Sequence, residues 1–150
     1  MRLDKLTTKF QEALSDAQSL ALGNDNAYIE PVHLLAAMLR QEDGPKSLLQ
    51  RAGVNVGKLS QDAENAIKRL PSVQGQEQVQ PGPDLVKALQ ATEKEAIKRG
   101  DQFIPSEMFL LALADAKGEA ARIAKEAGLA RKALEAAIDA VRGGQSDNSA

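Results

Sequence analysis

The chain has 150 residues, no cysteine, 19 basic and 21 acidic side chains, and a formal net charge of −2. This length suits one domain or two small halves that share a core, and the balanced charge argues against a nucleic-acid-binding face. The lack of cysteine excludes disulfides and thiolate metal sites, and with neither a signal peptide nor an apolar run of about 20 residues in view we expect a cytoplasmic protein that binds no membrane.

Start and stop signals in the first half predict four helices. Thr8 and Gln11 fit a capping box at the start of the first, and Gly53 fits a left-handed cap after the third. We predict helices from Thr7 or Thr8 to Gly23, from about Pro31 to Arg40, from Pro45 to just before Gly53, and from about Val56 to Leu70. These four helices form a first repeat at about 7–70.

A segment rich in proline, glycine and glutamine follows at residues 71–83, and its composition predicts a linker. Four more helices are predicted beyond it, with Ser106 as a candidate cap for the second of them. They run from Asp84 to Arg99, from Ser106 to about Ala116, from Glu119 to Ala127, and from Arg131 to Arg142. They form a second repeat at about 84–142, and residues 143–150 form a polar tail.

The two halves are similar in sequence when one is shifted by 75 residues, without gaps. The matched positions are apolar or glycine, which is what a shared packing plan would keep. They include Ala13-Leu14 with Ala88-Leu89, Tyr28-Ile29 with Phe103-Ile104, Leu35 with Leu110, Ala52-Gly53 with Ala127-Gly128, and Leu59 with Leu134. β-Branched runs with a period of two are missing, so we expect no sheet. The sequence predicts an all-α fold of eight helices in two four-helix units, within a single domain over residues 1–150.

The sequence offers little for catalysis. It has no G-x-x-x-x-G-K-[ST] phosphate loop, no G-x-G-x-x-G and no H-E-x-x-H, so we expect no nucleotide, metal or other cofactor in this chain. The only histidine, His33, aligns with Met108 under the shift of 75, and a position that accepts methionine is more typical of packing than of catalysis. Paired acidic residues lie beside lysines, as on a solvated helix face. We expect no catalytic residue and no enzyme activity.

One segment departs from the repeat pattern. Residues 100–109, GDQFIPSEMF, carry Glu107 where the first half carries Val32. A polar residue that breaks a repeat is a candidate for binding other proteins. The alternative is that Asp101 caps a loop and that Glu107 interacts with a helix N-terminus, where acids are favoured. The sequence leaves both interpretations open.

Three segments carry a resemblance to a known family. They are MRLDKLTTKFQEAL at the start, IEPVHLLAAML at the second helix and KRGDQFIPSEMFLLAL in the second half. With these segments the chain resembles the N-terminal repeat domain of the Clp family of AAA+ proteins, over about residues 1–144. Proteolytic members typically carry E-H-L-L at the second helix, whereas residues 32–35 read V-H-L-L, which is similar to the disaggregase branch.

The resemblance implies a substrate-recognition domain of an ATP-dependent disaggregase, which binds exposed hydrophobic segments of unfolded or aggregated proteins. The parent would be a homohexamer that uses ATP and Mg²⁺ and meets the DnaK system through a middle domain. These modules would lie beyond Ala150, the tail from Gly143 would begin the linker to them, and this fragment would be a monomer. The alternative is an adaptor-docking domain of a Clp-type unfoldase.

The resemblance also implies which residues bind clients. The polar positions of the family match Thr7, Asp101 and Glu107, and its apolar groove maps onto Leu89, Ala91, Glu95 and Met108. Ala91 and Glu95 stand where the family has larger apolar residues. We therefore expect a groove that is shallower or more polar.

Overall fold

The structure is a computed structural model that describes residues 2–143. A short 3-10 helix at Leu3–Lys5 precedes the α-helices. Across the described residues the α-helices are α1 (Thr8–Gly23), α2 (Pro31–Arg40), α3 (Lys46–Arg51), α4 (Val56–Arg69), α5 (Pro83–Lys98), α6 (Glu107–Ala114), α7 (Glu119–Glu126) and α8 (Arg131–Arg142). These elements confirm the predicted all-α class of eight helices. The predicted tail beyond Gly143 lies outside the described residues.

Two predicted capping interactions are wrong, although α1 and α6 begin within one residue of the predicted starts. The cap of α1 is Thr7, whose hydroxyl oxygen accepts a hydrogen bond from the Phe10 amide at 3.2 Å. Gln11 does not complete a capping box with Thr8, because its side-chain amide donates to the Leu6 carbonyl at 3.0 Å. Ser106 makes no side-chain cap hydrogen bond, since its own backbone is already helical, with φ −64° and ψ −24°.

The expectation of no sheet is also wrong. Two short strands, β1 (Tyr28–Ile29) and β2 (Gln80–Pro81), pair in parallel, and Gly82 donates its amide to the Ile29 carbonyl at 3.0 Å. A second parallel bridge joins Leu6 to Ile104. Strands of two residues leave no periodic pattern in a sequence. They form where two connecting segments meet over the buried side chains of Ile29 and Val79.

Each of these two pairings joins a backbone segment of one half to a segment of the other half. Leu6 and Pro81 are 75 residues apart, as are Ile29 and Ile104, and each half supplies one member of each pair. The same exchange appears among the helices, since α3 packs on α8 and α4 packs on α7. The halves are therefore related by an approximate twofold axis that passes between them.

One core serves both halves. Most of its largest fully buried side chains lie near the start of α1 or in α2 and α6: Leu6, Phe10, Leu34, Leu35, Met38, Met108, Phe109, Leu110 and Leu111. The others are Leu49, Leu59 and Leu85, from α3, α4 and α5. Near the axis, Gly128 has φ +103°, and a Cβ there would lie 3.2 Å from the Gly53 carbonyl oxygen. The positive φ favours glycine here, and the close approach of the two backbones adds to that preference. In the described part of the chain, no helix has the length and apolar character to cross a membrane.

Candidate binding surfaces

The first surface, which we name the apolar groove, lies between the start of α1 and the start of α5 and has a volume of about 380 Å³. Its apolar lining comes from both halves: Leu3, Leu6, Leu14, Ile29, Val79, Pro81, Leu85 and Leu89. Its polar lining is Gln11, Ser15, Gln18 and Gln80. No charged side chain among the described residues lines it, although 27% of the chain is charged.

The groove exists because α1 and α5 occupy equivalent places on either side of the twofold axis. Leu14 and Leu89 are equivalent under the shift of 75, and both pack against the core while remaining partly exposed. Leu3 keeps 63% of its surface exposed at the rim. An exposed leucine beside an uncharged, apolar depression is typical of a surface that binds another chain.

The second surface, which we name the polar groove, has a volume of about 420 Å³ and lies where α1, the α2–α3 connection, α6 and α8 meet. Its polar and charged lining residues are Thr7, Lys9, Gln41, Asp43, Ser47, Ser106 and Glu107. Its other lining residues are Gly44, Pro45, Leu48, Pro105, Ile138 and Val141. Gln41 donates to the Lys9 carbonyl at 2.9 Å, while its Oε1 is buried without a hydrogen-bond partner among the described residues.

Arg142 ties two of the predicted polar residues together. Its guanidinium donates to both carboxylate oxygens of Asp101, at 2.9 and 3.2 Å, and to Glu107 Oε2 at 3.4 Å. The Asp101 side chain is fully buried and that of Arg142 is 11% exposed. Burial opposes the charge on Arg142, but the hydrogen bond to Asp101 and the charges of both acids outweigh it, so the pKa of Arg142 is raised. The cluster fastens the end of α8 to the segment before α6.

Glu95 lies in a different cluster, on the side of α5 that meets α8. Arg131 donates to both of its carboxylate oxygens, at 2.6 and 3.0 Å, and also to Asp115 at 2.6 Å. The hydrogen bond from Arg131 lowers the pKa of Glu95 in spite of burial. Glu95 is therefore a buried, ion-paired anchor, and it does not open onto either groove.

The structure does not bring the seven predicted residues together. Leu89 lines the apolar groove, and Thr7 and Glu107 line the polar groove, with Asp101 joined to it through Arg142. Met108 is fully buried in the core, so it offers no surface. Its burial has a simple cause, because α6 is buried from Met108 to Leu113, on every side. Ala91 is half-buried on α5 and lines neither groove.

His33 packs in the core. Its Nδ1 accepts a hydrogen bond from the Glu30 amide at 2.8 Å, and its Nε2 lies 2.8 Å from Asn26 Oδ1. The amide donor fixes the neutral tautomer with the proton on Nε2, and burial lowers the pKa of His33 to about 4. Among the described residues, no group of three or more histidines and acids could hold a metal ion.

Sequence reasoning missed most of the apolar groove. Leu3, Val79 and Pro81 lie outside the α-helices, where hydrophobic periodicity gives no signal. Leu14 could have been found, because the shift of 75 places it on Leu89, which was already a candidate. A repeat that forms a twofold pair brings equivalent positions near the axis close to each other.

Residues 5–127 match the family described as the Clp repeat (R) N-terminal domain. The chain is 46% identical, over 94% of its length, to the chaperone protein ClpB of Dichelobacter nodosus, and 43% identical, over its full length, to ClpB of Pseudomonas putida. It spans only 17% and 18% of the length of these relatives.

Solved structures show the same fold at lower identity. The Hsp104 N-terminal domain from Candida albicans is 23% identical, with a TM-score of 0.83 over 97% of this chain and 96% of that one. A ClpV N-domain in complex with a VipB peptide is 21% identical, with a TM-score of 0.72 over 97% and 91% of the two chains.

Proposed function

We propose that this chain, which belongs to the Clp repeat N-terminal domain family, binds exposed hydrophobic segments of unfolded or aggregated proteins for an ATP-dependent disaggregase. The ClpB relatives are chaperones, which supports a chaperone role for a domain of this kind. The proposed parent is a cytoplasmic homohexamer whose other modules bind ATP and Mg²⁺ and meet the DnaK system. This chain on its own is proposed to be monomeric.

The apolar groove is the observation that carries the proposal. It combines partly exposed leucines from both halves with an uncharged lining. A chaperone must hold many different sequences and then release them, which favours contacts without strict direction. Burial of apolar surface supplies such contacts, at roughly 0.8 kcal/mol for each methylene group. Two or three client side chains in this groove would give affinities in about the micromolar-to-millimolar range.

Substitution of Leu3 tests the role of the groove. Leu3 is 63% exposed, so Leu3→Asp leaves the core intact while placing a charge at the rim. Ile97→Asp is the matched control, because Ile97 is 69% exposed on α5 and does not line the groove. We expect Leu3→Asp to weaken binding of a reduced, carboxymethylated unfolded protein by about tenfold, with no change for Ile97→Asp. Equal binding by both variants would refute the role of this groove.

The second candidate function is adaptor docking at the polar groove. The charged side chains of Lys9, Asp43 and Glu107 line this groove, and directed polar contacts of this kind suit one partner of defined shape. The ClpV N-domain of the same fold that was solved in complex with a VipB peptide supports this candidate. Chemical-shift mapping separates the two functions, since an adaptor would perturb residues around Gln41 and unfolded clients would perturb residues around Leu89.

We also propose that the chain is not an enzyme and holds no cofactor of its own. The reasons are the lack of a phosphate-binding loop in the sequence and the burial of His33, whose ring nitrogens contact the Glu30 amide and Asn26 Oδ1. Titration with ATP and Mg²⁺ should leave the melting temperature unchanged, because only a ligand that binds the folded state raises it. A clear rise would contradict the proposal.

A further inference from the structure

The apolar groove lies between elements that the repeat makes equivalent. One wall is formed by residues 3–6 and α1, and the other by residues 79–81 and α5. Leu6 is equivalent to Pro81 and Leu14 to Leu89 under the shift of 75, and all four line the groove. The exchanged pairing of Leu6 with Ile104 and of Ile29 with Pro81 places the approximate twofold axis between these walls.

A twofold axis through a groove has a consequence for what the groove can bind. Rotation about the axis exchanges the matched apolar pairs, Leu6 with Pro81 and Leu14 with Leu89, and therefore the two ends of any chain lying between them. The symmetry is confined to these pairs, since the equivalents of the other lining residues do not line the groove. A bound chain that meets Leu14 of α1 before Leu89 of α5 in one direction meets Leu89 before Leu14 in the opposite direction. Because the two leucines are equivalent, the order of contacts is the same in both cases. Apolar contact is itself non-directional, so the two orientations make similar contacts.

The lining also defines the chemistry of the occupant. No charged side chain among the described residues faces the groove, so a charged occupant would lose hydration without gaining a partner, which is costly. The polar side chains at the edges include Gln18 and Gln80. A carboxamide can both donate and accept hydrogen bonds, and it can therefore meet a peptide backbone running in either direction. The charge pattern matches an uncharged polypeptide segment.

We propose that the apolar groove binds an uncharged apolar polypeptide segment in either chain direction with similar affinity. The proposal rests on the proposed function and defines its substrate class more narrowly. Such a site would recognise an apolar segment without regard to whether its N-terminal or C-terminal end is nearer to α1. It would also bind with little dependence on salt, because no ion pair is formed.

The test uses three capped peptides and the intact 150-residue chain. The first peptide has a non-palindromic apolar sequence of seven residues, the second has the same residues in reverse order, and the third has aspartate at the centre of the first. We expect dissociation constants for the first two within about threefold of each other, and binding of the third weaker by more than about tenfold. Leu3→Asp should weaken both orders equally, and Ile97→Asp should weaken neither.

Each other outcome has a distinct meaning. Preference for one order by more than about tenfold would overturn the proposal while leaving the proposed function intact. Equal binding of the aspartate peptide would overturn the proposed chemistry of the occupant. Failure of both apolar peptides to bind, or an equal effect of Leu3→Asp and Ile97→Asp, would overturn both this proposal and the role of the groove in client binding.

Discussion

His33 shows how one buried residue couples stability to pH. Both of its ring nitrogens are engaged, with the Glu30 amide donating to Nδ1 and Nε2 facing Asn26 Oδ1. Asn26 in turn donates to the Pro71 carbonyl at 3.2 Å, so the histidine supports the start of the segment between the halves. Protonation of Nδ1 would set a donor against the Glu30 amide. The folded protein therefore resists protonation of this ring.

We predict that His33 makes the fold acid-sensitive. Its pKa is about 4 in the folded state and 6.5 in the reference state. Between these pH values His33 is protonated in the unfolded chain but not in the folded one. The contribution of neutral His33 to the free energy of unfolding is therefore complete above pH 6.5 and is lost as the pH falls towards 4, by up to about 3 kcal/mol. Urea unfolding at pH 7, 5.5 and 4.5 should show a steeper loss for wild type than for His33→Met. Parallel losses would contradict the prediction.

The buried Glu95 and the half-buried Arg131 form an ion pair whose loss should be costly. We predict that Glu95→Gln lowers the free energy of unfolding by about 1–3 kcal/mol at pH 7, because Arg131 loses a charged acceptor in a buried site. The pKa of Glu95 is lowered from 4.5 in the folded state, so its contribution is present above pH 4.5 and is lost as the pH falls through the folded value. Urea unfolding of Glu95→Gln, Arg131→Met and the double variant gives the coupling energy. Additive effects would show that the two side chains do not interact.

At the scale of helices, Thr7 at the start of α1 could cap the helix, bind clients or do both, and two substitutions distinguish these roles. We predict that Thr7→Val destabilises the protein by about 1 kcal/mol, because the valine cannot accept the hydrogen bond from Phe10. Thr7→Ser keeps the acceptor and should be nearly neutral. Stability is measured by urea unfolding, and client binding by titration of a folded sample. If Thr7→Ser loses client binding while keeping its stability, the threonine methyl group contacts the client and capping is not its only role.

The helices were predictable because apolar periodicity, proline and glycine mark them locally. Pro31 stands at the start of α2 and fixed its boundary, and the left-handed residues Gly53 and Gly128 follow α3 and α7 as expected. The side-chain cap predicted at Ser106 does not form. Serine favours caps in general, but the backbone conformation of Ser106 depends on how residues 101–106 pack. The two-residue strands could not be predicted, since they arise from contact between segments about 50 residues apart.

The candidate site was less predictable than the helices for a physical reason. Whether a residue is exposed depends on what packs against its helix, and the sequence shows only one helix at a time. Met108 begins α6, whose EMFLLALA sequence is apolar on nearly every side, and such a helix is typically central and buried. That composition was a signal against an exposed Met108. The ion pair of Glu95 with Arg131 joins residues 36 apart and gave no such signal.

At the scale of the whole molecule, the halves depend on each other. Each lends backbone hydrogen bonds to the other, as when Ile104 donates to the Lys5 carbonyl at 2.7 Å and Gly82 donates to the Ile29 carbonyl at 3.0 Å. Helices α3 and α4 pack on α8 and α7 across the axis. A separated half would expose these surfaces, and a chain of about 70 residues has little core to compensate for that exposure. The repeat is thus a unit of sequence that does not form an independent folding unit.

We predict that neither half folds alone and that the two halves associate when mixed. The segment around Gly75 is a suitable place to divide the chain, because residues 74 and 75 are exposed and Gly75 has φ +75°. Polypeptides covering residues 2–74 and 75–143 should each show weak helical circular dichroism and no cooperative melting. An equimolar mixture should regain the helical signal of the intact chain, with a melting temperature that rises with concentration because association is bimolecular.

A substitution at the interface provides the control for association. The Asn55 amide donates to the Ala127 carbonyl at 2.8 Å across the interface, so Asn55→Pro in the first half is expected to impair association. Cooperative melting of either half by itself would contradict the prediction, because it would mean that a half folds without its contacts across the axis.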